Sequence, residues 1–169
     1  ITLHPDGRVM HGGINVTPKP MIDTFQFTAS PSSAQTPVTD WARLTTSGFL
    51  FDGAYNTGMS LSSGVFTFPM TGRYLIIWAI GIYVTNNDSG IGFNLQTCTD
   101  GSTFSSITNI DEGDSGGHHC HLTHTHIAYI TDTTNQKVRF ATGSMTGGNI
   151  KGGTSQSYGN CTFLRLNDI

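Results

Sequence analysis

The stretch that decides the fold of this chain reads 64-GVFTFPMTGRYLII-77. Valine and threonine alternate with phenylalanine over residues 65–68, and this period of two predicts a strand with one buried face. Pro69 and Gly72 predict a turn, because proline presets φ and glycine accepts a positive φ. The apolar run that follows, Tyr74–Val84, predicts a second strand that is covered on both of its faces.

The composition indicates one β-rich domain. The 169 residues are enough to bury a core, and only 11% of them are charged, against about a quarter in an ordinary globular protein. Abundant glycine, serine, threonine and asparagine are typical of β-rich extracellular and virion proteins. The net charge of −3 and the lack of a basic run argue against nucleic-acid binding. No apolar stretch is long enough for membrane insertion.

Further strands are predicted along the whole chain, and no helical periodicity is present. The predicted strands are Phe25–Ala29, Ala42–Leu44, Val65–Pro69, Tyr74–Val84, Gly90–Thr97, His118–Thr131, Lys137–Thr142 and Asn160–Leu166. Eight short strands with polar, glycine-bearing connections predict an all-β sandwich of the jelly-roll type. We expect its core to contain Phe66, Phe68, Tyr74, Ile76, Trp78, Phe93, Phe140 and Phe163.

The N-terminal segment has a different character from the rest. It is polar and contains Pro18 and Pro20, which interrupt regular structure. We therefore divide the chain into an extended N-terminal arm or collar, residues 1–24, and a jelly-roll head domain, residues 25–169. Because the chain begins at Ile1 rather than at a methionine, we expect processing or truncation upstream.

The order of several segments resembles the globular head of complement component one-q. These segments are Phe27-Thr28-Ala29-Ser30, the G-x-F-x-x-P-x-x-G-x-Y pattern of residues 64–74, Ser115-Gly116-Gly117, Gln136-Lys137-Val138-Arg139-Phe140 and Tyr158-Gly159-Asn160-Cys161-Thr162-Phe163-Leu164. That head belongs to the tumour-necrosis-factor-like jelly rolls, and the resemblance covers roughly residues 25–169. It implies a homotrimer. The sequence departs from the family at Cys161-Thr162-Phe163 and in a histidine-rich strand.

The lead-in to the head is similar to that of bacteriophage fibres and other virion appendages. The similarity rests on Asp6-Gly7-Arg8-Val9, Pro18-Lys19-Pro20 and Phe25. It implies a non-enzymatic virion structural protein, the trimeric head of a phage fibre, spike or capsid decoration, acting in host-surface attachment or particle assembly. The implied partners are other virion proteins and a host cell-surface glycan or protein.

Three long loops are expected to face outward in such a head and to make its contacts. They are Thr85–Ser89, Thr99–Thr108 and Gly143–Tyr158. The alternative is a secreted, extracellular recognition module of the complement or cytokine-like type. Neither interpretation identifies the host, the receptor or a tail rather than head location.

The most unusual chemistry lies in residues 118–126, which read HHCHLTHTH. Alternate residues of a strand share a face, so His119 and His121 lie on one side and His124 and His126 on the other. The resemblance places this strand near a threefold axis, where each histidine would appear three times. Zn²⁺, Ni²⁺ and Fe²⁺ accept imidazole ligands, so these four histidines are the candidate metal ligands. A polar, hydrogen-bonded seam between subunits is the favoured alternative.

An enzymatic interpretation fits the residues less well. Gly113 followed by His119-x-His121 matches the first half of the cupin metal motif, yet the glutamate that should follow is missing and no histidine lies beyond His126. The catalytic motifs of serine hydrolases, P-loop enzymes and zinc proteases are also missing. We therefore predict that the chain is not an enzyme and has no resident cofactor.

Two smaller groups of residues were considered as sites. Asp111, Glu112 and Asp114 could collect Ca²⁺ but lack the spacing of an EF-hand, so a solvated loop is the favoured interpretation. The three cysteines allow at most one internal disulfide and form no CxxC motif, and buried free thiols are favoured.

Overall fold

The computed structural model describes residues 1–3, 9–12, 14–15, 20–45, 54–55, 57–85, 88–114, 117–143, 145 and 147–167. Over these residues the chain forms strands and connecting segments, with no helix. The strands are β1 (Thr2–Leu3), β2 (Val9–His11), β3 (Ile14–Asn15), β4 (Met21–Phe27), β5 (Trp41–Arg43), β6 (Ala54–Tyr55), β7 (Ser60–Ser62), β8 (Val65–Thr67), β9 (Gly72–Val84), β10 (Asp88–Cys98), β11 (Ser105–Asp114), β12 (His118–Ile130), β13 (Lys137–Thr142), β14 (Gly148–Lys151) and β15 (Gly159–Asn167).

Two antiparallel sheets make up the head. The small sheet has the order β11-β10-β13-β8-β7, and the large sheet has the order β12-β9-β15-β4-β5, with β14 added to β9 and β6 added to β4. The two sheets stack into a sandwich, because each strand alternates buried and more exposed side chains. The predicted all-β jelly roll is therefore confirmed. A separate three-stranded sheet, β1-β2-β3, lies in the arm.

The core between the sheets is aromatic. All eight side chains that were predicted to be buried are 0–2% exposed. Phe66 lies at the centre of this cluster: its ring centroid is 5.0 Å from that of Phe25 and 5.0 Å from that of Phe163. Burying one large apolar side chain stabilises a fold by about 1.5–3 kcal/mol, so this cluster holds the sandwich together.

The turn that precedes β9 is built as its sequence predicts. Gly72 has φ +148°, a conformation that side chains rarely allow. The Tyr74 hydroxyl donates a hydrogen bond to the Met70 carbonyl at 2.8 Å. Arg165 of β15 closes the turn from the other side, donating from Nε and Nη2 to the Thr71 carbonyl at 2.9 and 2.7 Å.

Several sequence-based boundaries were wrong. The first strand of the head begins at Met21, so residues 21–24, which were assigned to the arm, belong to the large sheet. Met21 and Asp23 are both fully buried. The local sequence does not predict a strand at Asp23, because aspartate is depleted in strands. The division into an arm and a head otherwise stays a prediction.

Two strands lie where the sequence predicts loops. β11 occupies the second half of the Thr99–Thr108 loop and beyond, and β14 lies inside the loop Gly143–Tyr158. β7, which precedes β8, has no counterpart among the predicted strands. β10 also begins at Asp88, within the loop Thr85–Ser89. These segments are short or polar, because they lie at sheet edges where few positions face the core.

The two faces of strand β9 differ in how far the described residues cover them. Its even-numbered residues from Tyr74 to Val84 are fully buried between the sheets. Leu75, Ile77 and Ala79 point to the other side of the large sheet and are half-buried. The apolar run therefore reflects a second, half-buried apolar face, and the cover of that face by an outer partner stays a prediction.

Candidate functional site

The histidine-rich strand β12 is the edge of the large sheet. It pairs with β9 over its whole length, from His118 opposite Val84 to Ile130 opposite Gly72. Residues 120, 122, 124, 126, 128 and 130 face the core side, and residues 119, 121, 123, 125, 127 and 129 are exposed on the outer face. The four candidate metal ligands are thus divided as the alternation predicts, with His119 and His121 outside and His124 and His126 inside.

The two inward histidines, His124 and His126, are half-buried on the core side of β12. The ring centroid of His124 is 4.9 Å from that of Trp78. His126 is half-buried and borders a cleft of about 140 Å³ that Cys98 and Lys137 also line. Burial lowers the pKa of His126 below its usual value of 6.5, and the neighbouring His124 lowers it further.

The two outward histidines lie in cross-strand rows at the end of the sheet where β14 replaces β15 as the partner of β9. His121 and Lys151 are both opposite Gly81. His119 and Asn149 are both opposite Tyr83. The Gly81 amide donates to the Tyr158 carbonyl at 2.9 Å, at the point where the partner strand changes from β15 to β14. Gly81 and Lys151, which are 70 positions apart in sequence, are therefore neighbours on one face of the sheet.

A cavity of about 360 Å³ opens over Gly81. We call it the histidine cavity, and its wall includes His119, His121, Lys151, Tyr158 and Ser30. A Cβ atom at Gly81 would lie 3.2 Å from His121 Cε1, 3.3 Å from Lys151 Cβ and 3.1 Å from the Tyr158 carbonyl oxygen. The glycine therefore keeps the floor of the cavity open.

Aromatic contacts order the side chains at the rim of this cavity. The rings of Tyr83 and His119 are stacked, with centroids 4.3 Å apart and planes 24° apart. Lys151 Nζ lies 4.9 Å from the centroid of the Tyr83 ring, within the range of a cation–π contact. The segment after β14 is held in place by Ser30, whose hydroxyl accepts a hydrogen bond from the Gly152 amide at 3.0 Å.

The other end of the same outer face is apolar. Leu164, Leu75 and Ile127 are aligned across β15, β9 and β12, and we call them the apolar row. Ile127 is 63% exposed, and the adjacent Tyr129 is 55% exposed. Leu164 and Leu75 are half-buried. An exposed apolar side chain that continues such a row across three strands is typical of a surface that another protein covers.

No single-chain metal centre is evident in the part of the chain that the structure describes, where no group of three or more histidine, cysteine or acidic residues could hold an ion. Within one chain, at most two of the four candidate histidines share a face. A site on a threefold axis would draw on other copies, so the metal assignment of His119, His121, His124 and His126 stays a prediction.

The acidic cluster and the cysteines have ordinary structural positions. Asp111 lies in β11 opposite Gly92, so the expectation of a solvated loop was wrong because the segment pairs with β10. The side chains of residues 112–114 lie outside the described residues. All three cysteines are free thiols, with Cys98 and Cys161 buried and Cys120 half-buried. Burial raises the pKa of the Cys161 thiol well above its usual value.

Sequence reasoning missed the residues that shape the cavity around the histidines. Gly81 carries a signal, since a lone glycine inside an apolar strand often marks a close approach of another group. Lys151 and Tyr158 carry none, because both lie in a segment that was interpreted as a surface loop. Only the pairing of β14 with β9 brings them to His119 and His121.

No family model matches the sequence, and no curated protein is similar to it in sequence. Solved structures are similar in fold. Murine APRIL at pH 8.0 has a TM-score of 0.61 and 9% identity, covering 88% of this chain and 100% of the other. Eiger TNF from S. frugiperda has a TM-score of 0.60 and 14% identity, covering 89% and 96%.

These structures define the class of the fold. The chain is a tumour-necrosis-factor-like jelly roll, as the resemblance of residues 25–169 implied. The identities are low, so the likeness concerns the arrangement of the strands. Among the described residues, no helix is long and apolar enough to cross a membrane.

Proposed function

We propose that this chain is the homotrimeric, non-enzymatic head of a virion appendage, which acts in host-surface attachment or particle assembly. The apolar row on the outer face of the large sheet carries the proposal. Leu164, Leu75 and Ile127 form a continuous apolar strip on which Leu164 and Leu75 are half-buried and Ile127 is 63% exposed. A closed ring of three chains would bury this strip without leaving an open end.

The fold supports a threefold assembly. Structures with the tumour-necrosis-factor-like fold are homotrimeric, and this chain matches two such structures over 88% and 89% of its length. Low charge fits the same assembly, since only 11% of the residues are charged and most of the outer face of β12 and β9 is neutral. Desolvating neutral residues at an interface costs less than desolvating charged ones.

The virion setting rests on the composition and on the lead-in segment. Residues 6–9 and 18–20 are similar to the arms that join phage fibre heads to their stalks, and the chain is rich in the small polar residues of virion proteins. A secreted recognition module of the cytokine-like type fits the same fold. Detection of the protein by mass spectrometry in purified virus particles, in a multiple of three copies, supports the virion assignment, and its presence only as a free extracellular protein contradicts it.

Light scattering coupled to gel filtration tests the trimer. The whole chain should elute as a particle of about 54 kDa, three times 18.1 kDa. The Ile127→Asp variant should be monomeric at micromolar concentration, because it places a charge in the apolar row of each chain.

The matched control is Ile107→Asp. Ile107 is also an exposed isoleucine, at 40%, but lies in β11 at the edge of the small sheet. This variant should remain trimeric. A stable monomer of the unaltered chain, or equal dissociation of both variants, would contradict the proposed interface.

A further inference from the structure

We propose that the histidine cavity binds a sugar that carries a carboxylate. The inference deepens the proposed attachment function by naming a class of ligand, and it rests on that proposal only for its biological use. The binding itself depends on residues of one chain, because β12, β9 and β14 supply the floor and the rim of the cavity.

The charge of the lining favours an anion. Lys151 contributes an ammonium group, and His119 and His121 contribute ring N–H groups that donate hydrogen bonds. None of the described residues that line the cavity is acidic. Charge-assisted hydrogen bonds from lysine to an ionised acceptor are about twice as strong as neutral ones, so this lining favours a ligand with an anionic group such as a carboxylate.

The lysine is held in position before a ligand arrives. Its Nζ lies 4.9 Å from the Tyr83 ring, and the other partner of that ring is the stacked His119. Strand pairing places Lys151 opposite Gly81, and the Ser30 hydroxyl anchors the following residue, Gly152. A preorganised donor loses less conformational entropy on binding than a free surface lysine does.

The size of the cavity indicates more than a simple ion. A volume of about 360 Å³ lies at the lower end of the range for small-molecule sites, roughly 300–1,000 Å³. A sugar ring offers C–H groups on its faces and hydroxyls around its edge. Tyr158, which is 41% exposed, supplies an aromatic surface for the C–H groups. The imidazoles of His119 and His121 supply hydrogen-bond partners for the hydroxyls.

The cavity and the proposed trimer interface do not compete for the same residues. His121 and Ile127 are six positions apart on β12, about 20 Å along the strand at roughly 3.4 Å per residue. In a trimer that closes on the apolar row, three copies of the cavity would lie around one end of the axis. Three lysines near one another would strengthen the attraction for acidic sugars on a multivalent glycan.

Nuclear magnetic resonance titration of the whole chain with glucuronic acid, and separately with glucose, tests the proposal. The two sugars differ in the carboxylate. Glucuronic acid should bind and shift the resonances of residues around Gly81, with an affinity at least about tenfold higher than that of glucose. Inorganic phosphate alone is the third probe, and it should bind more weakly than glucuronic acid because it cannot contact the Tyr158 ring.

Two variants locate the site. Lys151→Met keeps the length of the side chain and removes its charge, and it should weaken glucuronic acid binding by about tenfold or more. Gly81→Ala adds a methyl group to the floor of the cavity and should also weaken binding. The matched control is Lys137→Met in β13 of the small sheet, outside the cavity, which should bind as the unaltered chain does. Circular dichroism of each variant verifies that it is folded, and His121→Gln replaces any variant that is not.

The outcomes separate this inference from the proposed function. Equal binding of glucose and glucuronic acid, equal binding of phosphate, or a Lys151→Met variant that is folded and unchanged would each overturn the proposal. So would displacement of glucuronic acid by Zn²⁺ at stoichiometric concentration, which would assign the histidines to a metal. Light scattering on the same samples reports the trimer independently, so a trimer without sugar binding rejects only the sugar site.

Discussion

The outer face of the large sheet has two ends of opposite character, although the same two strands, β9 and β12, run through both. At one end the cross-strand positions hold Leu164, Leu75 and Ile127, and at the other they hold Lys151, Gly81 and His121. The strand that completes each row differs, since β15 pairs with the first half of β9 and β14 with the second.

The comparison shows how one edge of a jelly roll can serve two purposes. Alternation along β12 places every second residue on the outer face, whatever its chemistry. A change of side chains along the strand then changes the surface from one suited to a protein partner to one suited to a polar ligand. Because the two ends share a core, their functions can be separated only by substitutions on the outer face.

The largest effect should come from the shared core. Phe163→Ala removes a fully buried ring that packs on Phe66 in the continuous core beneath the large sheet. We expect the free energy of unfolding to fall by about 3–5 kcal/mol, measured by chemical denaturation. Ile107→Ala, an exposed position on the small sheet, should change it by less than about 0.5 kcal/mol. Similar losses in both variants would mean that the aromatic cluster is not the main core.

A negative charge at the end of the outer face that holds the histidine cavity tests whether this end takes part in the trimer interface. His121→Asp places a carboxylate beside Lys151, six residues from the apolar row. We expect this variant to remain trimeric, in contrast to Ile127→Asp, because the polar end is not part of the proposed dry interface. It should lose glucuronic acid binding, since its carboxylate competes for the same lysine. If light scattering shows a monomer, the interface extends over the whole face.

The smallest effect concerns acid sensitivity and the inward face of β12. The pKa of His126 is lowered in the folded chain, so the unfolded chain binds the proton more tightly. The free energy of unfolding should therefore be at its full value above about pH 6.5 and fall as the pH drops below it. His126→Gln should reduce this loss, as measured by unfolding midpoints between pH 7.5 and 5.

The control for the acid response is His119→Gln on the outer face. His119 is exposed, stacks on Tyr83 and lies on the opposite face of β12 from His126. This variant should show the same decrease in the free energy of unfolding at low pH as the unaltered chain. If His119→Gln removes the loss and His126→Gln does not, the titrating group lies in the histidine cavity rather than between the sheets.

Much of the fold could be predicted from local patterns. The alternation over residues 65–68, the turn up to Gly72 and the apolar run to Val84 predicted two strands and a turn, and all three are present. The division of the four histidines between two faces also followed from alternation alone. Such features depend on residues close in sequence, where the geometry of a strand leaves few choices.

What the sequence determined by itself was therefore the β class, the aromatic core and the faces of β12. The tertiary structure decided which distant segments meet on those faces. β14 is a strand only because β9 extends beyond β15 and offers unpaired backbone groups to it. That pairing brings Lys151 to His121 and Gly81, and no local pattern encodes it, because a cross-strand neighbour is selected by the completed sheet and not by the residues beside it in the chain.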